Sequence, residues 1–158
     1  MRGVKSRGTK STEIRLRAAL VSNGLKGWKV QAVQLPGKPD FVFMRQKLAI
    51  FVDGCFWHRC WKCYRRPHSR QEYWDAKVRY NVWRDQRNRS RLRRLGWHTL
   101  RVWEHAISAD VPKVCRRIEA TLASITRKEE RSSSPLVSLD STGQVLRRSA
   151  GLKDRHRI

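Results

Sequence analysis

From Ile50 to Cys63 the chain runs Ile-Phe-Val-Asp-Gly-Cys-Phe-Trp-His-Arg-Cys-Trp-Lys-Cys. A carboxylate, an imidazole, thiols and large flat rings seldom crowd into so short a segment merely to fill a core. Cys55, Cys60 and Cys63 lie close enough in sequence for their thiolates to converge on one ion. Zinc takes such ligands in tetrahedral fours, and a closed set stiffens a loop without itself doing chemistry. His58, His68, His105 and Cys115 are the candidates for the fourth position. His105 stands just beyond a predicted strand ending at Trp103, where it can meet the cysteine loop. Cys115 falls one position from the apolar face of a predicted helix and is more simply a small buried residue. The favoured reading is a structural zinc held by three cysteines and a histidine, with the identity of the fourth ligand left open.

A second set of groups suits phosphodiester hydrolysis. Asp40 and Asp53 sit at corresponding ends of two predicted neighbouring strands and could share a divalent cation. Mg²⁺ prefers hard oxygen ligands, lowers the pKa of a water and offsets charge on a phosphoryl transition state. Glu13 is a third acid that could hold the water of such a metal, and His58 is a plausible general base. Plainer roles suit the same residues: a turn at Asp53-Gly54 and a strand-edge acid at Asp40. Phe56, Trp57, Trp61 and Trp74 are either core or rings that stack on bases. Adjacent rings in a polar, glycine-flanked loop are poorly placed to be buried together, and rings wedged between base pairs are a known device for distorting DNA.

These groups sit in a chain of 158 residues, enough for one domain with a real core and a tail. Its 36 Lys and Arg against 13 Asp and Glu give a formal charge of +23. A charge that large repels itself in a compact state and calls for a polyanionic partner. Most of the cations are arginines, whose planar fork suits phosphates and bases, although a membrane surface competes as the partner. No apolar run approaches transmembrane length and no signal peptide is apparent. A cytoplasmic, nucleoid-associated monomer that does not engage membranes is therefore expected, and its clustered cysteines read as metal ligands rather than disulfides.

The elements that must position the site follow from periodicity and punctuation. Residues 1–10 read as a basic arm. Ser11 or Thr12 can cap a helix starting near Glu13, with Ile14, Ala18, Leu20 and Val21 as its apolar face and Asn23-Gly24 as its stop. A strand is expected over Trp28–Leu35, then a hairpin of Asp40–Met44 and Lys47–Asp53. The apolar run Leu48–Val52 fits a strand buried on both faces. After the cysteine loop, a long basic helix carries Trp74, Val78, Val82, Leu92 and Leu95 and closes at Gly96. A strand over Trp97–Trp103 follows, then a helix from Asp110-Val-Pro112 to about Arg127 with Val114, Ile118, Leu122 and Ile125 on one face. The expected organisation is a folded domain over 11–127 and a basic, disordered tail over 128–158. Helix, strands, helix, strand, helix makes an α/β domain with helices covering a mixed sheet.

Several blocks of this chain resemble the very-short-patch-repair (Vsr) family of DNA mismatch endonucleases. They include the Glu13-Ile-Arg-Leu-Arg helix, Leu35-Pro-Gly-Lys-Pro-Asp-Phe-Val42, Phe51-Val-Asp-Gly-Cys-Phe-Trp-His58 and Glu72-Tyr-Trp74. Asn81-Val-Trp-Arg-Asp85, Leu95-Gly-Trp97 and Val102-Trp-Glu104 continue the series. The resemblance implies a restriction-endonuclease-like fold with a structural zinc loop. It also implies a Mg²⁺-dependent enzyme that nicks one strand of duplex DNA at T:G mismatches left by deaminated 5-methylcytosine. A cognate cytosine methyltransferase and repair proteins are the implied partners. Carried over by position, Asp40 is the metal-binding aspartate, His58 the general base and Glu13 the helix acid near the waters of the metal. Phe56, Trp57 and Trp74 are the rings beside the mismatch, and Cys55, Cys60, Cys63 and His105 are the zinc ligands. The best-known member of the family has threonine and histidine where this chain has Val52 and Asp53. A metal held through the backbone carbonyl of Val52 tolerates that change, and Asp53 offers Mg²⁺ a carboxylate in place of an imidazole. A non-catalytic zinc-containing DNA-binding module and a nicking endonuclease of other specificity are the rival readings.

Overall fold

The computed structural model describes residues 7–133, with side chains over residues 11–132. The elements are α1 (Arg7–Ser22), β1 (Trp28–Val30), β2 (Phe41–Phe43), β3 (Leu48–Asp53), α2 (Gln71–Arg94), β4 (His98–Trp103), α3 (Glu104–Ala109) and α4 (Val111–Ser133). Residues Met1–Thr126 form one compact unit, which holds the sheet, and Arg127–Ile158 a second. The sheet has four strands in the order β1-β2-β3-β4. The first two pairings are antiparallel and β3 pairs with β4 in parallel, so the sheet is mixed. The parallel pair requires a crossover, and α2 provides it.

Alternation along β3 explains why its sequence is apolar throughout. Leu48, Ile50 and Val52 belong to a large cluster with Leu16 and Leu20 of α1, Phe41 and Phe43 of β2, Ile107 of α3, and Val114 and Ile118 of α4. Ala49 faces the other side, with Val42 and Leu92, where Leu35, Phe51 and Trp97 also pack. Helices therefore cover both faces, as a strand without polar alternation demands. Each fully buried leucine or isoleucine stabilises the fold by roughly 1.5–3 kcal/mol relative to exposure.

Several boundaries differ from those expected. Helix α1 begins at Arg7, six residues before Glu13, because nothing between Gly8 and Thr12 stops a helix once the next turns are packed. Its buried face is Thr12, Leu16, Ala19 and Leu20, whereas Ile14 and Val21 are exposed. The arm residues Arg7–Lys10 are thus helical, and the rest of the expected arm lies outside the described residues. The expected strand over Trp28–Leu35 stops at Val30, where Gln31 takes a left-handed φ of 49° and breaks the ladder. Helix α3 is not legible in the sequence, because 6 residues leave no measurable period. Helix α4 continues past Arg127 to Ser133, so Lys128–Ser133 is helical and residues 134–158 of the expected tail are not described. Its expected inner face holds: Val114, Ile118 and Ile125 are buried and Leu122 packs against them.

Candidate active site and metal centre

The hairpin turn sets the register that builds the site. Phe41 pairs with Ile50, so Asp40 falls just past the last β2 pairing, with its backbone N–H bonded to the Ile50 carbonyl at 3.0 Å. Beyond that point β3 has no β2 neighbour, and the N–H of Val52 donates instead to Asp40 Oδ2 at 2.7 Å. The N–H and C=O of one strand residue leave on the same side, so the Val52 carbonyl also faces the Asp40 end of the sheet. Burial, above all, raises the Asp40 carboxyl to about 6, with the Val52 hydrogen bond opposing and Glu13 and Asp53 adding to the rise. Glu13 on α1 thereby acts electrostatically on Asp40. A hard-oxygen pair of this kind, with a carboxylate reluctant to ionise alone, fits a divalent cation.

One residue on, Asp53 ends β3 and is 5% exposed. Its carboxylate turns to a different set of partners. His58 Nδ1 lies 3.8 Å from Asp53 Oδ1 and 2.5 Å from Asp85 Oδ2. Arg101 on β4 places Nε against Asp53 Oδ2 and Nη2 at 3.2 Å from Asp85 Oδ2. Asp53 Oδ2 is buried and has no aligned hydrogen-bond donor. Burial raises the Asp53 carboxyl, and the charges of His58 and Arg101 oppose that rise. For Asp85, burial alone would raise the carboxyl, but its bond to His58 and the nearby charges carry it below its usual range. Asp40, Asp53, His58, Asp85 and Arg101 all line one cleft of about 510 Å³, rimmed by Lys38, Arg84 and Arg89. Acids and an imidazole at the floor with cations at the rim suit a phosphodiester held over a metal-assisted hydrolytic site.

The cysteine loop is a set of tight turns. The N–H of Cys60 bonds to the Cys55 carbonyl at 2.9 Å, and that of Tyr64 to the Cys60 carbonyl at 2.9 Å. The ligand atoms of Cys55, Cys60, Cys63 and His105 all lie within 4.8 Å of one another. His105 Nδ1 is 3.2 Å from Cys55 Sγ and 3.5 Å from Cys60 Sγ. Around zinc, with Zn–S of about 2.3 Å and Zn–N of about 2.0 Å, such atoms stand roughly 3.5 Å apart. Burial pushes the Cys55 thiol up to about 12, against a hydrogen bond from the His105 backbone, whereas for Cys60 the burial effect is outweighed by hydrogen bonds that lower the thiol. Of the other fourth-ligand candidates, Cys115 belongs to the core cluster and His58 to the cleft. Glu104 anchors the loop from α3 by accepting the Cys55 N–H at 3.2 Å.

Phe56 and Trp57 lie in sequence between Cys55 and His58. Phe56, Trp57 and Trp74 make a mutual cluster with centroids 5.2, 5.4 and 5.9 Å apart. Asn81, buried on α2, donates to the Trp57 carbonyl at 3.1 Å and holds the ring-bearing turn. Trp61 is 84% exposed and takes no part in the cluster.

The structure thus brings together Asp40, Val52, Asp53 and His58 in one cleft, with Glu13 acting on it, and Cys55, Cys60, Cys63 and His105 in another group. Sequence reasoning passed over Asp85 and Arg101. Asp85 lies four residues after Asn81 and eleven after Trp74, the inward side of α2, which periodicity could have marked. Arg101 is a lone charge between Leu100 and Val102 in an apolar strand, a conflict that commonly signals a site.

Comparison with known proteins matches residues 1–65 to the family model described as DNA mismatch endonuclease Vsr. The chain is 45% identical over 109 residues to the DNA mismatch endonuclease Vsr of Escherichia coli (strain K12), covering 68% of each chain. It is 42% identical to the type II nicking enzyme V.NaeI of Lentzea aerocolonigenes, over 66% of this chain and 65% of that one. The type II nicking enzyme V.XorIIP of Xanthomonas oryzae pv. oryzae is 38% identical, over 68% and 79% respectively.

Proposed function

The chain belongs to the Vsr family of DNA mismatch endonucleases, and we propose that it nicks one strand of duplex DNA at T:G mismatches with the help of Mg²⁺. The observation that carries this reading is the cleft in which Asp40 and the Val52 strand end lie beside the His58–Asp85 pair under a rim of arginines. Asp40 and the Val52 carbonyl would hold Mg²⁺, with Glu13 steadying its water. Bound there, Mg²⁺ supplies Lewis acidity to the scissile phosphate and acidifies a water. Lys38, Arg84 and Arg89 grip the flanking phosphates. His58 donates Nδ1–H to Asp85, which fixes the tautomer and leaves Nε2 to take the proton of the attacking water. Asp53 contributes negative charge beside His58, favouring the imidazolium that forms as that proton arrives.

Phe56, Trp57 and Trp74 would enter the base stack at the mismatch, the ring insertion that kinks DNA at weakly paired steps. Zn²⁺ on Cys55, Cys60, Cys63 and His105 would keep the ring-bearing loop rigid. A lesion created by deamination of 5-methylcytosine makes a cytosine methyltransferase the natural companion, with repair proteins acting on the nick. The relatives named as nicking enzymes support the rival reading of a nicking endonuclease of other specificity.

The test is incubation of T:G and T:A duplexes, in varied flanking contexts, with Mg²⁺. Selective nicking of the T:G strand, lost in Asp40→Ala, is expected. Equal nicking by Asp40→Ala, or equal cutting of both duplexes, overturns the assignment.

A further inference from the structure

Asp53, His58 and Asp85 form a second group of metal-ligand type outside the zinc set, with one ligand atom from each lying within 4.8 Å of the others. Two carboxylates and an imidazole are hard and borderline donors suited to a divalent ion. The group also contains a buried carboxylate oxygen, Asp53 Oδ2, with no aligned hydrogen-bond donor. By ligand type alone, it could be a second catalytic ion site beside Asp40, of the kind used by two-metal nucleases.

A guanidinium already stands there. Arg101 reaches both acids, with Nε against Asp53 and Nη2 at 3.2 Å from Asp85. It is held in that pose from behind by Trp103, two residues along β4, whose ring centroid is 4.7 Å from the guanidinium carbon. Arg84 adds a second, more exposed cation at 3.4 Å from Asp85 Oδ1. Asp53 and Asp85 together carry a charge that Arg101 and Arg84 balance, so no divalent ion is required for neutrality. A guanidinium stays protonated at any working pH and offers donors only, so it cannot be titrated out of the way.

We propose that Arg101 is the built-in cation of the Asp53–His58–Asp85 group: it takes the place that a divalent ion would occupy in that group and leaves metal binding to Asp40 and the Val52 carbonyl. This rests on the reading of Asp40 as a metal ligand. Arg101 acts through Asp53 and Asp85, not on the phosphate, and is a positioning residue. By holding Asp85 against His58 Nδ1, it keeps Nδ1 occupied and Nε2 free. The buried carboxylate at residue 53 and the arginine at residue 101 then form one unit, since a buried carboxylate needs its counter-ion.

Mn²⁺ binding to the zinc-loaded full chain, followed by electron paramagnetic resonance, tests this without relying on activity. The proteins compared are the unaltered chain, Asp40→Asn, Arg101→Leu and the double variant. Arg101→Leu should bind about one Mn²⁺ more than the unaltered chain, and the double variant about one more than Asp40→Asn. Arg101→Lys, which keeps the cation, should leave the number unchanged. If Arg101→Leu or Arg101→Gln binds no additional ion, or Arg101→Lys binds one as readily, the proposal is wrong. If instead Asp40→Asn binds as much as the unaltered chain, it is the Asp40 assignment that fails. Should Arg101→Leu be poorly folded, Mn²⁺ should raise its melting temperature more than that of the unaltered chain, because the ion replaces the lost charge. A melting temperature unmoved by Mn²⁺ also overturns the proposal.

Discussion

At the scale of single residues, the site is governed by what burial does to carboxylates. Asp40 is raised from 3.8 to about 6, chiefly by burial. The folded chain therefore holds this proton more tightly than the unfolded chain, and the contribution to stability is present below about pH 4 and is lost as pH rises through about 6. Without a divalent ion, the unaltered protein should lose about 3 kcal/mol relative to Asp40→Asn between those limits, at about 1.36 kcal/mol per unit. Urea unfolding of both proteins at matched pH measures it, and the comparison cancels pH effects shared by the rest of the chain. Mg²⁺ should remove most of the difference, since it binds the ionised form. Asp85 acts in the other direction, as an ionised partner for His58. Asp85→Asn should lower kcat by roughly 10–100-fold, the usual cost of losing a carboxylate behind a working imidazole. It should also shift the pH–rate profile with little change in KM for DNA. An unshifted profile would point to a packing role instead.

At the scale of elements, the cysteine–histidine cluster ties together the segments that leave β3 and β4 side by side, where Asp53 pairs with Trp103. Three ligands come from the turn after β3, and His105 comes from α3, which follows β4. Arg101, Trp103 and His105 follow one another at alternate positions, and Trp103 stacks on His105 with ring centroids 6.5 Å apart. One stretch of chain thus runs from the cleft to the metal centre. His105→Ala should lose zinc and loosen the loop that carries Phe56, Trp57 and His58, whereas Cys115→Ser should keep its zinc. Elemental analysis and melting curves decide this, and full zinc in the His105 variant would sink the assignment. Because a structural zinc contributes on the order of 10 kcal/mol of binding free energy to folding, a strong chelator should abolish nicking along with loop structure.

At the scale of the whole molecule, the formal charge of +23 makes DNA affinity a counterion-release process. Binding to a T:G duplex should fall by at least about 10³-fold between about 50 and 200 mM salt, the behaviour of a protein neutralising several phosphates. T:A duplex should show nearly the same slope, since the phosphates are shared. A shallow slope would mean that few of these arginines touch the backbone. Among the described residues, no helix is long and apolar enough to cross a membrane. Much of the architecture was legible in the chain because it depends on local pattern: the apolar run Leu48–Val52, the stop at Asn23-Gly24, the long α2 and the inner face of α4. The clustering of Cys55, Cys60, Cys63 and His105 was legible for the same reason, since the three cysteines are neighbours in sequence and His105 stood next to a strand end. Local pattern misjudged the inner face of α1, where Ile14 and Val21 are exposed, because which stripe faces inward depends on what packs against it. The pairing of Asp53 also required the fold. Sequence set it beside Asp40 as a metal ligand, and only the parallel register of β3 with β4, with α2 laid across them, brings Arg101 and Asp85 to its carboxylate. Residue types and spacing determine which chemistry a chain can perform. Which charge meets which is decided by contacts between residues far apart in sequence.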